Sequence, residues 1–557
     1  MKIPVDGVQR IEIDVQQLKG IVEQARKASL DEVSCQMLHH VIETIVFLTE
    51  LIEKKDTTIR DLRRLLSPLS TEKTKKALEN AGIEPSQEPG PSAQPEAPGA
   101  ETATAKPEAE VPKQKRKGHG KNGASAYKGA PKVEIAHTSL KPGDPCPKCE
   151  KGKLYAAPQG VLVRVVGQAP LHATVYHIDK LRCNLCQAIF VAEIPKDIGS
   201  KKYLETAISM IALLKYSAGF PFYRLGVLQE NLQIPLPPAT QWDLLAPTAE
   251  SLKPAWEELI REAAQGEVLY DDDTKMKILS LMKEIALAKR NGASPERTGL
   301  FTTGIVAKTR EGEHIALFFT GPKHAGENLA EVLSRRDAEL SPPILMCDAL
   351  TRNLPKNLQV ILGNCNAHAR RRYVSVTPNF PEECRYVLET LGAVYHNDAV
   401  THEQNMTAEQ RLHFHKTHSG PLMDELHEWL KTRLGEKKVE PNSGLGEAIR
   451  YMLNHWIPLT LFLRQAGAPL DNSIVERALK KVILLRKNSL FYKTQAGARV
   501  GDLFMSLIYT CELCGANPFH YLTELQRHTW ELSEHPEDWM PWNYRDTMAR
   551  TGLLLAS

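Results

Sequence analysis

The segment from residue 83 to 112 constrains this chain most. It holds Pro85, Pro89, Pro91, Pro95, Pro98, Pro107 and Pro112 and almost no large apolar side chain. Proline fixes φ and removes a backbone donor, so neither a helix nor a sheet core can run through it. The segment reads as a disordered or extended tether in this chain of 557 residues. Hydrophobic residues at 42% and charged residues at 25% match a soluble globular average. Purely disordered, collagenous and disulfide-scaffold classes are excluded. The longest apolar runs, such as Ile208–Leu214, fall short of the roughly 20 residues needed to cross a bilayer, and the N-terminus has no secretory apolar stretch. A cytoplasmic protein with no membrane partner is expected, nucleoid-associated if it binds DNA.

Before the tether, Leu38, Ile45, Ile52, Ile59 and Leu66 repeat by seven, with Val41, Leu48 and Leu62 as a second series broken by Lys55. Isoleucine at a with leucine at d is the pattern of a parallel two-stranded coiled coil, and hence of a homodimer or higher oligomer. A single amphipathic helix packed on its own domain is the other reading. After the tether, Lys113, Lys115, Arg116, Lys117 and Lys121 form a basic run with interspersed glycines that can neutralise phosphates. A solubilising tail would look the same. The net charge of +3, from 70 basic and 67 acidic residues, leaves local patches to decide such questions.

Two knuckles follow, Cys146-Pro-Lys-Cys149 and Cys183-Asn-Leu-Cys186. Four thiolates at this spacing suit tetrahedral Zn²⁺ with no open position, a structural site. It would hold together a segment with little core of its own. Cys511 and Cys514 lack a second pair and read as buried thiols. The helical stretch from Lys201, broken at Gly219 and Pro221, reads either as a DNA-binding helix–turn–helix unit or as ordinary helical packing.

Further along, apolar residues flank Asp271-Asp272-Asp273-Thr274. Strands are predicted at 299–306, 315–319, 343–346 and 360–363, with a turn at Gly312 and a helix from Asn328. The strand at 343–346 leads to Asp348. Cys365-Asn-Ala-His-Ala-Arg-Arg-Arg372 reads as helical and brings His368 together with Arg370, Arg371 and Arg372. A helix start is predicted at Asp471 or Asn472, with Glu476 one turn in and Arg477, Lys480, Lys481, Arg486 and Lys487 following. Three acids from distant positions amid cations are what two-metal phosphoryl transfer requires, and hard carboxylates suit Mg²⁺ or Mn²⁺. Solvated surface carboxylates are the competing reading.

These segments together resemble the IS66 family of transposases. They are the leading heptads, CPKC…CNLC, KYSAGFPFYRLGVLQENLQIPLPPATQWDLL, DDDT, CNAHARRRY and the run from DNSIVERALKK to GANPFHYL, from about residue 35 to 525. The resemblance implies a multidomain α/β protein with an RNase-H-like catalytic core, a helical insertion, an N-terminal coiled coil and a small zinc-binding module. It implies a DDE triad at Asp272, Asp348 and Glu476 holding Mg²⁺ or Mn²⁺. The family's Asp-Glu-Thr falls on Asp272-Asp273-Thr274 and its Asn-x-x-x-Glu-Arg-Ala on Asn472 to Ala478. Where the family shows Asp-Gly-Tyr this chain has Asp348-Ala-Leu, and Cys365-Asn-Ala-His stands for Cys-Trp-Ala-His. Neither change removes an acid.

The expected organisation is a coiled-coil region at 1–82, a linker with basic patch at 83–125, a zinc module at 126–198 and DNA-binding-like helices at 199–262. The core follows at 263–400, with a helical insertion at 401–465, the core's second part at 466–525 and a tail at 526–557. The activity implied is cleavage of the element's ends and transfer of the 3′-hydroxyl into target DNA. Lys113, Lys115, Arg116, Lys117, His368, Arg370, Arg371, Lys480, Arg486 and Lys487 are candidate contacts to double-stranded DNA. Companion proteins from the same element are possible partners. A non-catalytic zinc-containing DNA-binding protein and a nuclease without strand transfer are the alternatives.

Overall fold

The computed structural model describes residues 198–552 except 293, 294, 296 and 357, and the shorter stretches 141–145, 147, 153, 168–182, 189–193 and 195. The heptads, the tether, the basic run at 113–121 and all four knuckle cysteines lie outside the described residues. Strands β1 (Lys180–Arg182) and β2 (Ile189–Val191) pair antiparallel, with Arg182 opposite Ile189. In sequence, Cys183 and Cys186 fall between them. Pro145 and Lys153 form an antiparallel bridge, and Cys146 and Cys149 fall between those two.

The main sheet has five strands: β3 (Val268–Lys275), β4 (Phe301–Lys308), β5 (His314–Gly321), β6 (Ile344–Cys347) and β7 (Ile361–Asn364). Their order is β5-β4-β3-β6-β7. β3, β4 and β5 form an antiparallel meander, turning at Gly312 with φ +97°. β6 and β7 then add parallel to β3 and to each other. The uninterrupted apolar run Ile344–Cys347 is buried throughout, as an inner parallel strand demands.

The longer helices are α1 (Glu205–Ala212), α2 (Phe222–Asn231), α3 (Pro238–Ser251), α4 (Lys253–Ala264), α5 (Leu279–Arg290), α6 (Ala325–Leu333) and α7 (Asn366–Val376). After them come α8 (Pro381–Glu403), α9 (Ala408–His418), α10 (Gly420–Gly435), α11 (Gly444–Asn454), α12 (Ser473–Ser489), α13 (Gln495–Leu513) and α14 (Pro518–Arg527). No helix among the described residues is long and apolar enough to cross a membrane.

Three placements add to the sequence reading. Helix α8, with proline at its first position, already covers Pro381–Glu403, ahead of the stretch from residue 401 expected to be helical. Gly497 sits in the first turn of α13, where Thr494 Oγ1 accepts its N–H at 3.1 Å and caps the helix. The helices after Lys201 are built into the core. α1 continues into a π-helical turn, Leu213–Ser217. On that side Gln526 Nε2 donates to Ser209 Oγ at 2.8 Å, and Tyr216 stacks on Phe504 at 5.4 Å. Cys511 is a buried free thiol as expected, Cys514 a half-buried one, and Gly515 ends the helix with φ +70°.

Candidate active site

The three consecutive aspartates of β3 have three different environments, because side chains alternate across a strand. Asp273 points to the α6 side. Its carboxylate accepts Thr303 Oγ1–H at 2.7 Å and the Ala325 N–H at 3.1 Å, with His324 Nδ1 at 3.1 Å. It thus serves the N-terminus of α6. Asp271 is fully buried, and among the described residues neither of its oxygens has a hydrogen-bond partner. Burial, with the charges of Asp272, Asp273 and Asp348 adding, pushes its carboxyl well above the ordinary range.

Asp272 faces α12. Its partner across the antiparallel ladder is Gly304, and paired residues share a face. A Cβ on Gly304 would lie 3.0 Å from Leu479 Cδ2 and 3.3 Å from Val475 Cγ2. Glycine there lets α12 lie directly on the sheet. Chemistry alone could not choose among the three aspartates; the phase of the strand does.

Asp348 follows β6. Its register with β3 runs from Val268–Ile344 to Tyr270–Met346, two residues before Asp348, and the Asp348 charge acts on Asp272. Neighbouring strands are about 4.8 Å apart. Asp348 Oδ1 accepts Asn353 Nδ2–H at 2.6 Å and the Leu350 N–H at 3.3 Å. Burial raises the Asp348 carboxyl. The Asp272 carboxyl is pushed up to about 7, first by burial and then by the charges of Asp348 and Glu476, against the pull of the Asp273 N–H.

Glu476 enters from the first turn of α12. Its Oε1 is buried without a hydrogen-bond partner among the described residues. His368 Nδ1 lies 3.7 Å from Oε1 and Arg371 3.6 Å from Oε2. α7 is fastened to the segment leading into α12. Asn366 Nδ2 donates to the Leu459 and Leu470 carbonyls at 2.9 and 3.2 Å, and the Asn472 N–H reaches Cys365 Sγ at 3.5 Å. Cys365, His368 and Glu476 consequently offer ligand atoms that all lie within 4.8 Å of one another. The charges of Asp348 and Glu476 both act on Asp272, but among the described residues the three expected acids do not themselves form a group with ligand atoms within 4.8 Å. Asn353 and Cys365 join them, neither being among the expected site residues. The signal for Cys365 was the Cys-x-x-His spacing, one helical turn.

The expected basic contacts divide. Lys480 and Lys487 are exposed on α12. Arg486 reaches back to β3, donating to Thr274 Oγ1 at 3.2 Å and to the Lys275 carbonyl. Arg371 faces Glu476. Arg370 is only 6% exposed and belongs to the interior.

The model described as Transposase IS66 family matches residues 202–500, a span that contains all three acids. Three proteins of Sinorhizobium fredii (strain NBRC 101917 / NGR234) are similar. The chain is 23% identical to "Uncharacterized protein y4hP" over 76% of this chain and 78% of that protein. It is 33% identical to "Uncharacterized protein y4jD" over 190 residues, which span 33% of this chain and 36% of that one. It is 24% identical to "Uncharacterized protein y4qI" over 61% and 62%.

Proposed function

The chain belongs to the IS66 transposase family, and from that premise we propose that it is a DDE transposase with an RNase-H-like core, acting through Asp272, Asp348 and Glu476. What supports the reading is that Asp272 on β3 feels the charges of both Asp348, just past β6, and Glu476, in the first turn of α12. The strand order β5-β4-β3-β6-β7, an antiparallel meander extended by two parallel strands, supports the RNase-H-like assignment.

The donor set fits a hard divalent cation. An Asp272 carboxyl pushed up to about 7 amid other carboxylates, and a Glu476 oxygen without a hydrogen bond, are oxygen ligands short of positive charge. Asp272, Asp348 and Glu476 would hold Mg²⁺ or Mn²⁺, which when bound supplies Lewis-acid stabilisation of the attacking and leaving oxygens. The chain's own residues do the rest. Asn353 fixes the rotamer of Asp348. Arg371 and His368 steady Glu476, and Lys480 and Lys487 attract the phosphodiester backbone.

In the proposed sequence, hydrolysis at the element's end leaves a 3′-hydroxyl. That oxygen attacks a target phosphorus, a new P–O bond forms, and the target's own 3′-oxygen leaves. The knuckle cysteines Cys146, Cys149, Cys183 and Cys186 would hold structural Zn²⁺. The antiparallel pairings that bracket each Cys-x-x-Cys in sequence support this. The heptads would pair two protomers, and so two element ends, in the cytoplasm. Companion proteins, and the basic run at Lys113, Lys115, Arg116 and Lys117, would assist DNA engagement.

Strand transfer of the element's terminal DNA in Mg²⁺ or Mn²⁺, with wild type beside Asp348→Asn, tests the reading. Joined product in wild type alone is expected. Equal joining by both proteins would remove Asp348 from the site. Cleavage without joining would favour a nuclease, and end binding without either would favour a DNA-binding protein.

A further inference from the structure

We propose that Cys365, His368 and Glu476 form a second metal site, selective for a thiophilic divalent ion such as Zn²⁺, whose occupation withdraws Glu476 from the aspartates and halts strand transfer. This rests on the reading of Glu476 as a catalytic ligand.

The donor chemistry comes first. A thiolate, an imidazole and one carboxylate select zinc-like ions over Mg²⁺, which prefers oxygen and an octahedral shell. Asp272, on which the charges of Glu476 and Asp348 act, and Asp348 itself offer only oxygen. Glu476 therefore stands between two sets of partners with opposite preferences.

Geometry comes second. Cys365 and His368 are three residues apart at the start of α7, so their side chains share a face. With Glu476 their ligand atoms lie within 4.8 Å of one another. A tetrahedral Zn²⁺ with bonds of about 2.0–2.3 Å sets its ligands about 3.5 Å apart, so a modest contraction is required. Glu476 can supply it. His368 Nδ1 and Arg371 lie 3.7 and 3.6 Å from its carboxylate, and its Oε1 makes no hydrogen bond among the described residues. The backbone N–H of Asn472, 3.5 Å from Cys365 Sγ, is placed to stabilise a bound thiolate. Solvent can supply the fourth ligand.

Loading is balanced by proton release. The Cys365 thiol gives its proton to solvent as the metal–sulfur bond forms.

The test uses the full chain and Co²⁺ as a spectroscopic probe for Zn²⁺. Wild type, Cys365→Ser, His368→Gln and Asp348→Asn are titrated in parallel, with melting curves to identify any variant that does not fold. Wild type minus Cys365→Ser cancels the four-cysteine site. It should leave a thiolate-to-cobalt charge-transfer band saturating at one ion per chain. His368→Gln should weaken that ion's binding by at least about tenfold.

In strand-transfer assays with Mg²⁺ in excess, Zn²⁺ should inhibit wild type, and each ligand variant should need at least about tenfold more Zn²⁺ for the same fractional loss of its own zinc-free rate. No difference band in folded protein, or equal zinc sensitivity in wild type and both ligand variants, overturns the proposal. Asp348→Asn separates the two readings. If it still joins DNA the catalytic reading fails, whereas its cobalt band reports on the thiophilic site alone.

Discussion

Asp502→Ala should destabilise the protein sharply while Asp502→Asn should not, and the contrast depends on pH. β5 is an edge strand whose outward N–H groups would otherwise be open to pairing with another chain. α13 covers that edge with side chains. Thr510 Oγ1 accepts the Ala316 N–H at 3.1 Å, Ser506 Oγ the Phe318 N–H at 3.0 Å and Asp502 Oδ2 the Thr320 N–H at 2.7 Å. Four helical residues rise about 6.0 Å and two strand residues about 6.8 Å, so the two ladders stay in step. Asp502 Oδ1 also accepts Thr320 Oγ1–H at 2.6 Å, and Thr320 Oγ1 lies 2.8 Å from Thr302 Oγ1.

Alanine would strand a buried N–H and a buried hydroxyl at about 1–3 kcal/mol each, roughly 2–6 kcal/mol together. Asparagine can accept the N–H and donate Nδ2–H to Thr320 Oγ1, which then donates to Thr302. Burial pushes the Asp502 carboxyl up to about 7 from the ordinary 3.8, against the Thr320 bonds that pull it down. A folded-state value above the unfolded one means stability fully present below 3.8 and lost as pH rises through 7. At about 1.4 kcal/mol per pH unit the ceiling is about 4 kcal/mol. Denaturant melts at pH 5 and pH 8 give the difference between wild type and Asp502→Asn, in which other titrating groups cancel. Asp502→Asn should gain on wild type from pH 5 to pH 8. A pH-independent difference, or an Asp502→Ala within about 0.5 kcal/mol of wild type, would refute the edge-cap account.

Two other outcomes follow from the site. Gly304→Val should overpack Leu479 and Val475, cost about 1–3 kcal/mol, and displace the first turn of α12 with Glu476. Strand transfer measured well below the melting temperature should therefore fall, and an unchanged rate in folded protein would show that α12 does not depend on that close approach. Asn353→Ala removes the 2.6 Å bond to Asp348 and should raise the Mg²⁺ concentration for half-maximal joining by about tenfold, with thermal stability little changed. Superimposed Mg²⁺ titrations would count against it.

The meander was readable because Gly312 and the alternating runs on either side are local signals. The parallel strands were readable as strands, but their place beside β3 was not, since register between distant segments leaves no mark on either one. Asp272 was separated from Asp271 and Asp273 only by the resemblance until the Asp272–Gly304 pairing supplied a physical reason. Arg486 looked like a DNA contact because a basic residue on a helix reads the same whether it meets phosphate or a backbone carbonyl. The Asp502, Ser506 and Thr510 ladder is legible afterwards as a four-residue polar repeat in an apolar helix. Its purpose depends on an edge strand nearly 190 residues away in sequence.

The placement of the acids explains why α12 is fastened at both ends. Two carboxylates on adjacent parallel strands are held by the sheet itself, but a third must arrive from a helix and hold its position against like charge. At its start α12 is tied to α7 through the Asn472 N–H and Cys365. In the middle Val475 and Leu479 rest on Gly304. At its end Arg486 reaches Thr274 and the Lys275 carbonyl on β3, and Lys215 Nζ, buried and lowered to about 8 by that burial, donates to Ser489 Oγ at 3.0 Å. Among the described residues Glu476 Oε1 has no hydrogen-bond partner, so the helix backbone is fixed while that carboxylate oxygen is not. The metal-ligand role proposed for Glu476 would need that combination.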